Sequence, residues 1–252
     1  MGASEQVSDR DRAKARSVTP VWARESGKRR STLSREAIVT AALRIADAEG
    51  LAAVSIRRIA TELGARTMSL YSYIDSKADL FDLMADEIAG EVVIREGLPA
   101  EWRQAITMIA CRERAVGLRH PWQIDLVNQR SSAMIGPNGL RHLEQSVAAL
   151  AGLRLEPLEA WRVIAAVDDY VCGFISREIR KREIVRHAEA TGLDGEALVR
   201  PYLQGLADSG EFVTITPLLR DGLRTIGSDF EQGLNWLLDG IEHQYGSTTT
   251  QP

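Results

Sequence analysis

Residues 55–77, SIRRIATELGARTMSLYSYIDSK, constrain the fold of this chain more than any other stretch. Ile56, Ile59, Ala60 and Leu63 fall at i, i+3, i+4 and i+7, the spacing of one apolar helix face, while Arg57, Arg58 and Glu62 point the other way. Ser55 supplies an N-cap oxygen, and Gly64 supplies the residue that most easily enters a left-handed helix end. The apolar pattern then restarts with Leu70 and Ile74 alone. The spacing predicts two short helices across a glycine turn, the second anchored by two residues. Arg66, Thr67, Met68, Ser69, Tyr71, Ser72 and Tyr73 are left to face outward.

An outward face of that composition has few ion pairs for water and little apolar area for a core. Hydroxyl side chains meet base-edge donors and acceptors in a major groove, and Thr67 or Met68 can touch a thymine methyl. Tyrosine hydroxyls and Lys77 can reach phosphate oxygens. Taken alone, the pattern also fits a solvated helical hairpin, and its context separates the two readings. A helix from Ser34 to Glu49 precedes it, with Ile38, Ala41, Ala42, Ile45 and Ala46 on one stripe and Gly50 past its end, which makes a three-helix unit. Ahead of that helix run Lys28, Arg29 and Arg30, a basic arm that can follow a phosphate backbone or enter a minor groove, or remain a disordered tail without DNA.

The stretches LSREAIVTAALRIADAEG and SIRRIATELGARTMSLYSYIDSKADL resemble the DNA-binding domain of the TetR family of bacterial transcriptional regulators. The tyrosine after Leu70, the Ser76-Lys77 pair and the Ile-Ala of the second helix carry the resemblance. It implies base reading by Arg57, Thr67, Met68 and Ser69 and backbone contacts by Tyr71, Tyr73 and Lys77; the residues' own chemistry adds Arg66 to the candidate base readers, and Ser55, Ser72 and the arm residues Lys28, Arg29 and Arg30 to the candidate backbone contacts. Two positions depart from the family's commonest pattern. Arg66 stands where a small or polar residue is usual, and Ile74 where an aromatic is frequent.

Charge is divided in the same way. Residues 1–77 carry a net charge of +5 and residues 78–252 a net charge of −9, within an overall −4. A basic head on an acidic body keeps the phosphate-facing field local. The expected division is a basic arm over 1–30, a DNA-binding head over 31–80, an all-helical regulatory and dimerisation domain over 81–246, and a tail over 247–252. The fold class is all-α.

Beyond the head, apolar periods predict helices over 77–95, 100–119, 122–129, 138–151, 157–187, 195–208 and 228–245, the last capped by Ser228. The 157–187 and 228–245 helices have wide apolar faces suited to a four-helix bundle with a second copy, which places Ile175, Ile179, Leu234, Leu237, Leu238 and Ile241 at a homodimer interface. The alternative is that these helices bury only against their own chain. Trp102, Ile109, Trp122, Trp161, Asp168, Tyr170 and Phe174 are the candidates for a small-molecule effector pocket, although the same aromatics also serve as core.

The expected function is a homodimeric repressor that binds a palindromic double-stranded DNA operator and is released by a small molecule. The alternative is an activator or architectural DNA binder with no ligand. The chain has no nucleophile elbow, phosphate loop or metal-spaced cluster, so no catalysis is expected. His120, His142, His187 and His243 are scattered, and neither cofactor nor metal is expected. Cys111 and Cys172 are expected as buried free thiols. With neither a membrane-length apolar run nor a signal-peptide core, a cytoplasmic location is expected.

Overall fold

The computed structural model describes residues 20–23, 33–129, 135–192, 195–221 and 229–246. The arm residues Lys28, Arg29 and Arg30, the cap Ser228 and the 247–252 tail lie outside them. All regular structure among the described residues is helical: α1 (Arg35–Glu49), α2 (Ile56–Glu62), α3 (Thr67–Leu70), α4 (Lys77–Val92), α5 (Trp102–Arg119), α6 (Gln123–Gln129), α7 (Pro137–Ala149), α8 (Pro157–Thr191), α9 (Gly195–Asp208), α10 (Thr216–Arg220) and α11 (Phe230–Tyr245). None is long and apolar enough to cross a membrane.

Local chemistry sets the helix ends. Ser34, Ser55 and Ser76 each accept a hydrogen bond from the backbone N–H three residues on, which opens α1, α2 and α4. Hydrogen bonds from its own backbone N–H and from Ser34 hold the Glu36 carboxyl below its ordinary pKa. At the end of α2, Gly64 (φ +62°) permits a double closure, with the Ala65 N–H donating to the Ala60 carbonyl and the Gly64 N–H to that of Thr61. The cap of α11 is Asp229, whose carboxylate accepts from the Glu231 and Gln232 N–H groups.

The chain divides into two compact units, residues 1–160 and 161–252, so the first extends well past residue 80. The reason lies in the core of the first unit. Ile38, Ala42 and Ile45 of α1, Ile59 of α2, Leu70 and Ile74 share one apolar cluster with Leu80, Phe81 and Met84 of α4. Val116, Trp122 and Leu126, from α5, α6 and the turn between them, belong to the same cluster. Three short helices do not enclose a core by themselves, and each fully buried Leu or Ile contributes about 1.5–3 kcal/mol, so the head recruits cover from later in the chain.

Two polar clamps tie α7 into this unit. The Asp86 carboxylate of α4 accepts from the backbone N–H of Asn138 (2.9 Å) and Gly139 (3.0 Å), capping α7 from another helix. The Gln145 amide accepts from the Ile94 N–H and donates to the Ile94 carbonyl, satisfying both groups just past α4.

In the second unit, Tyr170 and Phe174 of α8 pack with Phe230 of α11, and the Tyr170 hydroxyl donates to the Phe230 carbonyl at 2.8 Å. Leu203 and Ala207 of α9 bury a smaller cluster against Leu219 of α10. Cys111 and Cys172 are exposed rather than buried, because each sits on the outward side of its amphipathic helix.

Gly136 shows how close the approach at the start of α7 is. A Cβ there would lie 2.3 Å from Asp86 Oδ1 and 2.7 Å from the Trp22 ring. Gly136→Ala is therefore expected to destabilise the protein by about 1–3 kcal/mol in urea denaturation, by displacing the cap or the indole. An unchanged midpoint would show that the approach tolerates a methyl group.

Candidate nucleic-acid interface

Leu70 and Ile74 are 0% and 1% exposed, and they pin α3 and the turn after it to the head. That burial decides what is left outside. Arg66, Thr67, Met68, Ser69, Tyr71 and Ser72 are all exposed, with Met68 at 76%. An exposed methionine beside two hydroxyl residues at a helix N-terminus has no stabilising role in water and suits a groove. Tyr73 departs from its expected outward position. It is half-buried against the head core, and its carbonyl lies 3.5 Å from Arg35 Nε.

The two arginines of α2 have different environments. Arg58 donates to Glu49 at 2.7 Å and to Glu62 at 3.0 Å, and these carboxylates, Glu49 foremost, raise its pKa above the ordinary value. Arg57 is exposed and has no ion-pair partner among the described residues. An arginine already held by two carboxylates has its donors engaged, whereas Arg57 can offer its bidentate fork to a guanine edge. Ser55 is exposed but uses its oxygen as the α2 cap, leaving its hydroxyl proton for a phosphate. Lys77 is exposed with its ammonium 4.9 Å from the centre of the Phe81 ring, which orients the charge while leaving it accessible. The structure thus brings Arg57, Arg66–Ser69, Tyr71 and Ser72 onto the exposed parts of one small helical unit.

Of the candidate effector residues, Trp102, Ile109 and Trp122 belong to the first unit and Trp161, Asp168, Tyr170 and Phe174 to the second. Trp122 is 5% exposed in the head core, and its indole N–H donates to Asp47 of α1 at 2.7 Å, so it has no free face for a ligand. Tyr170 and Phe174 are members of the α8–α11 aromatic cluster. Ile109 is buried, Trp102 and Asp168 are half-buried, and Trp161 is exposed. A surface hollow of about 740 Å³ lies in the first unit between residues 98–100 and the outer side of α7, including Leu140, Arg141 and Glu144; none of the candidate residues lines it.

The candidate dimer residues are largely covered within their own chain. Ile175, Ile179, Leu234, Leu238 and Ile241 are buried within the single chain, and Leu237 is half-buried. What α11 exposes is Trp236, at 67%, with Gly240 one turn on. Apolar residues line more than one side of this helix, and periodicity alone does not say which side is turned inward.

Sequence reasoning missed a polar junction. His120, 6% exposed at the end of α5, donates from Nδ1 to Asp47 at 2.6 Å, and Arg119 Nε donates to His120 Nε2 at 3.2 Å. Arg119 also pairs with Glu91 of α4. No local motif marks these residues, which are up to 73 positions apart in sequence.

Known proteins share this arrangement. A family model described as "Bacterial regulatory proteins, tetR family" matches residues 38–84, and one described as "Tetracyclin repressor-like, C-terminal domain" matches residues 97–245. The HTH-type transcriptional repressor DrrR1 of Streptomyces coeruleorubidus is 34% identical over 237 residues, covering 90% of this chain and 85% of that protein. An HTH-type transcriptional regulator of Saccharopolyspora erythraea is 34% identical over 174 residues, covering 68% and 71%. Among solved structures, the TetR family protein ActR of Streptomyces coelicolor in complex with actinorhodin superposes with a TM-score of 0.70 at 25% identity, covering 87% of this chain and all of that one.

Proposed function

The chain belongs to the TetR family of bacterial transcriptional regulators, and from that premise we propose that it is a homodimeric repressor that reads a palindromic operator through Arg57 and residues 66–69 and is released by a small molecule. The observation that carries the proposal is the exposure of Arg57, Arg66, Thr67, Met68 and Ser69 beside a fully buried Leu70. Leu70 and Ile74 hold the reading surface rigid, so side chains reach base edges without first being ordered. Lys77 and Tyr71 supply phosphate contacts that fix register.

One head covers only a few base pairs, so specificity at genomic scale needs two heads on half-sites about 34 Å apart or a multiple of it. The exposed Trp236 and the open side of Gly240 on α11 support a second copy as the partner. The ActR–actinorhodin complex and the repressor name of DrrR1 support a ligand-released repressor. A small molecule achieves release only through its differential affinity for free and DNA-bound forms. The alternative, regulation without a ligand, corresponds to a protein that no compound displaces from its operator.

Binding measurements on duplex DNA selected from a randomised library test the reading surface. Arg57→Ala and Thr67→Ala are expected to cost about 1–3 kcal/mol on selected DNA and little on scrambled DNA. Lys77→Ala is expected to weaken both alike and to lower the salt slope by about one. Equal losses on both DNAs for all three variants would remove the division of roles. For the dimer, Trp236→Glu is expected to shift the sedimentation of the protein toward monomer, and an unchanged dimer would place the interface elsewhere. For release, a gel shift on the selected operator with actinorhodin and a panel of aromatic metabolites is expected to identify at least one compound that frees the DNA. Retention against the whole panel would favour the ligand-free alternative.

A further inference from the structure

The junction at the end of α5 connects segments that the family comparison assigns to different domains. Asp47 lies within the matched N-terminal domain, and His120 and Trp122 lie within the matched C-terminal one. Asp47 Oδ1 accepts the His120 Nδ1–H and the Trp122 indole N–H together, at 2.6 and 2.7 Å. The two rings stand edge to face, 5.8 Å between centres. On the other side of the imidazole, Arg119 bridges His120 Nε2 and the Glu91 carboxylate near the end of α4. The α5–α6 corner is therefore attached by hydrogen bonds to two separate helices, α1 through Asp47 and α4 through Glu91.

Two attachments do what one does not. A body held at a single point turns about it, and apolar packing such as that of Val116 and Leu126 on the head core is non-directional and tolerates sliding. Hydrogen bonds weaken steeply with angle, and those to a carboxylate are about twice as strong as neutral ones, so a pair on one oxygen resists rotation. Placed at the last turn of α1, this pair fixes the direction in which the head, and with it α3, is presented.

We propose that Asp47, His120 and Trp122 are positioning residues: their junction sets the angle of the DNA-reading head on the α5–α6 corner and thereby the half-site spacing that the dimer accepts. The proposal rests on the reading of the chain as a dimeric operator binder. It makes spacing discrimination, rather than affinity for one half-site, the property stored in the junction.

The test uses the full-length protein and the operator it selects from a randomised duplex library. Duplexes carrying the same half-sites, moved together or apart by one and two base pairs, are compared with a duplex carrying a single half-site. Each base pair changes the separation by about 3.4 Å and rotates one site about the axis. The wild-type protein is expected to lose about tenfold or more in affinity for a one-base-pair change, equivalent to about 1.4 kcal/mol. Trp122→Phe, which keeps an aromatic ring but removes the N–H donor, and Asp47→Asn, which removes the charge, are expected to lose about threefold or less on the same change, with single-half-site affinity within about twofold of wild type.

Variants that keep the wild-type spacing preference overturn the proposal, whether their thermal midpoints fall or not, since a purely stabilising junction would lower the midpoint alone. A wild-type protein that selects a specific sequence but is indifferent to spacing overturns the proposal while sparing sequence reading. A wild-type protein that selects no sequence overturns the operator reading and the junction proposal together.

Discussion

The burial of α4 is the constraint on which the first unit depends. This helix packs against α1, α5, α6 and α7, and its Leu80, Phe81 and Met84 close the core of the head. Because α4 has apolar positions on several sides, it does not end the head; it joins the head to α5, α6 and α7. Ser76 starts the helix at the foot of the reading surface, Asp86 caps α7 from its middle, and Glu91 anchors the α5–α6 corner near its end. A single helix thus carries apolar closure, a capping charge and an ionic anchor in sequence along its length.

Polar groups within this core act by direction rather than by area. Asp86 and Gln145 satisfy backbone groups at the end of one helix and the start of another, groups that would otherwise cost about 1–3 kcal/mol each if left unpaired. Asp47 does the same for two side-chain donors. Hydrophobic burial brings α5 and α6 to the head, and these bonds select one angle of approach. The division between Arg57 and Arg58 follows the same logic, since the arginine with carboxylate neighbours stabilises the unit locally and its neighbour stays exposed.

Much of the head was legible because its signals are local. Serine caps, a glycine at a helix end and i, i+4 apolar spacing act over four residues, and they fixed α1, α2 and the start of α4 to within a residue or two, while α4 ends three residues before the expected position. The exposed face of α3 was legible by subtraction: once Leu70 and Ile74 are inward, the other residues of 66–73 are left to face out, and of these Tyr73 is the one that turns partly inward. Trp122 was a candidate for both a pocket and a core because an aromatic in an amphipathic stretch carries the same signal in either place, and it is buried in the core of the first unit. Its partner, Asp47, lies 75 residues away. The candidate dimer stripe carries a related ambiguity, since a helix with apolar residues on more than one side does not show in its own periodicity which side its chain covers.

The sequence by itself determined the all-helical class, the positions of most helix ends, the glycine turn and most of the exposed face of α3, because each depends on backbone propensity and neighbours within one or two turns. Tertiary structure alone decided three things: that the head shares its core with α4 and the α5–α6 corner, that Trp122 and His120 converge on Asp47, and which sides of α8 and α11 are covered. These depend on contacts between residues distant in sequence, where hydrophobic pattern states that a surface must be buried but not against what.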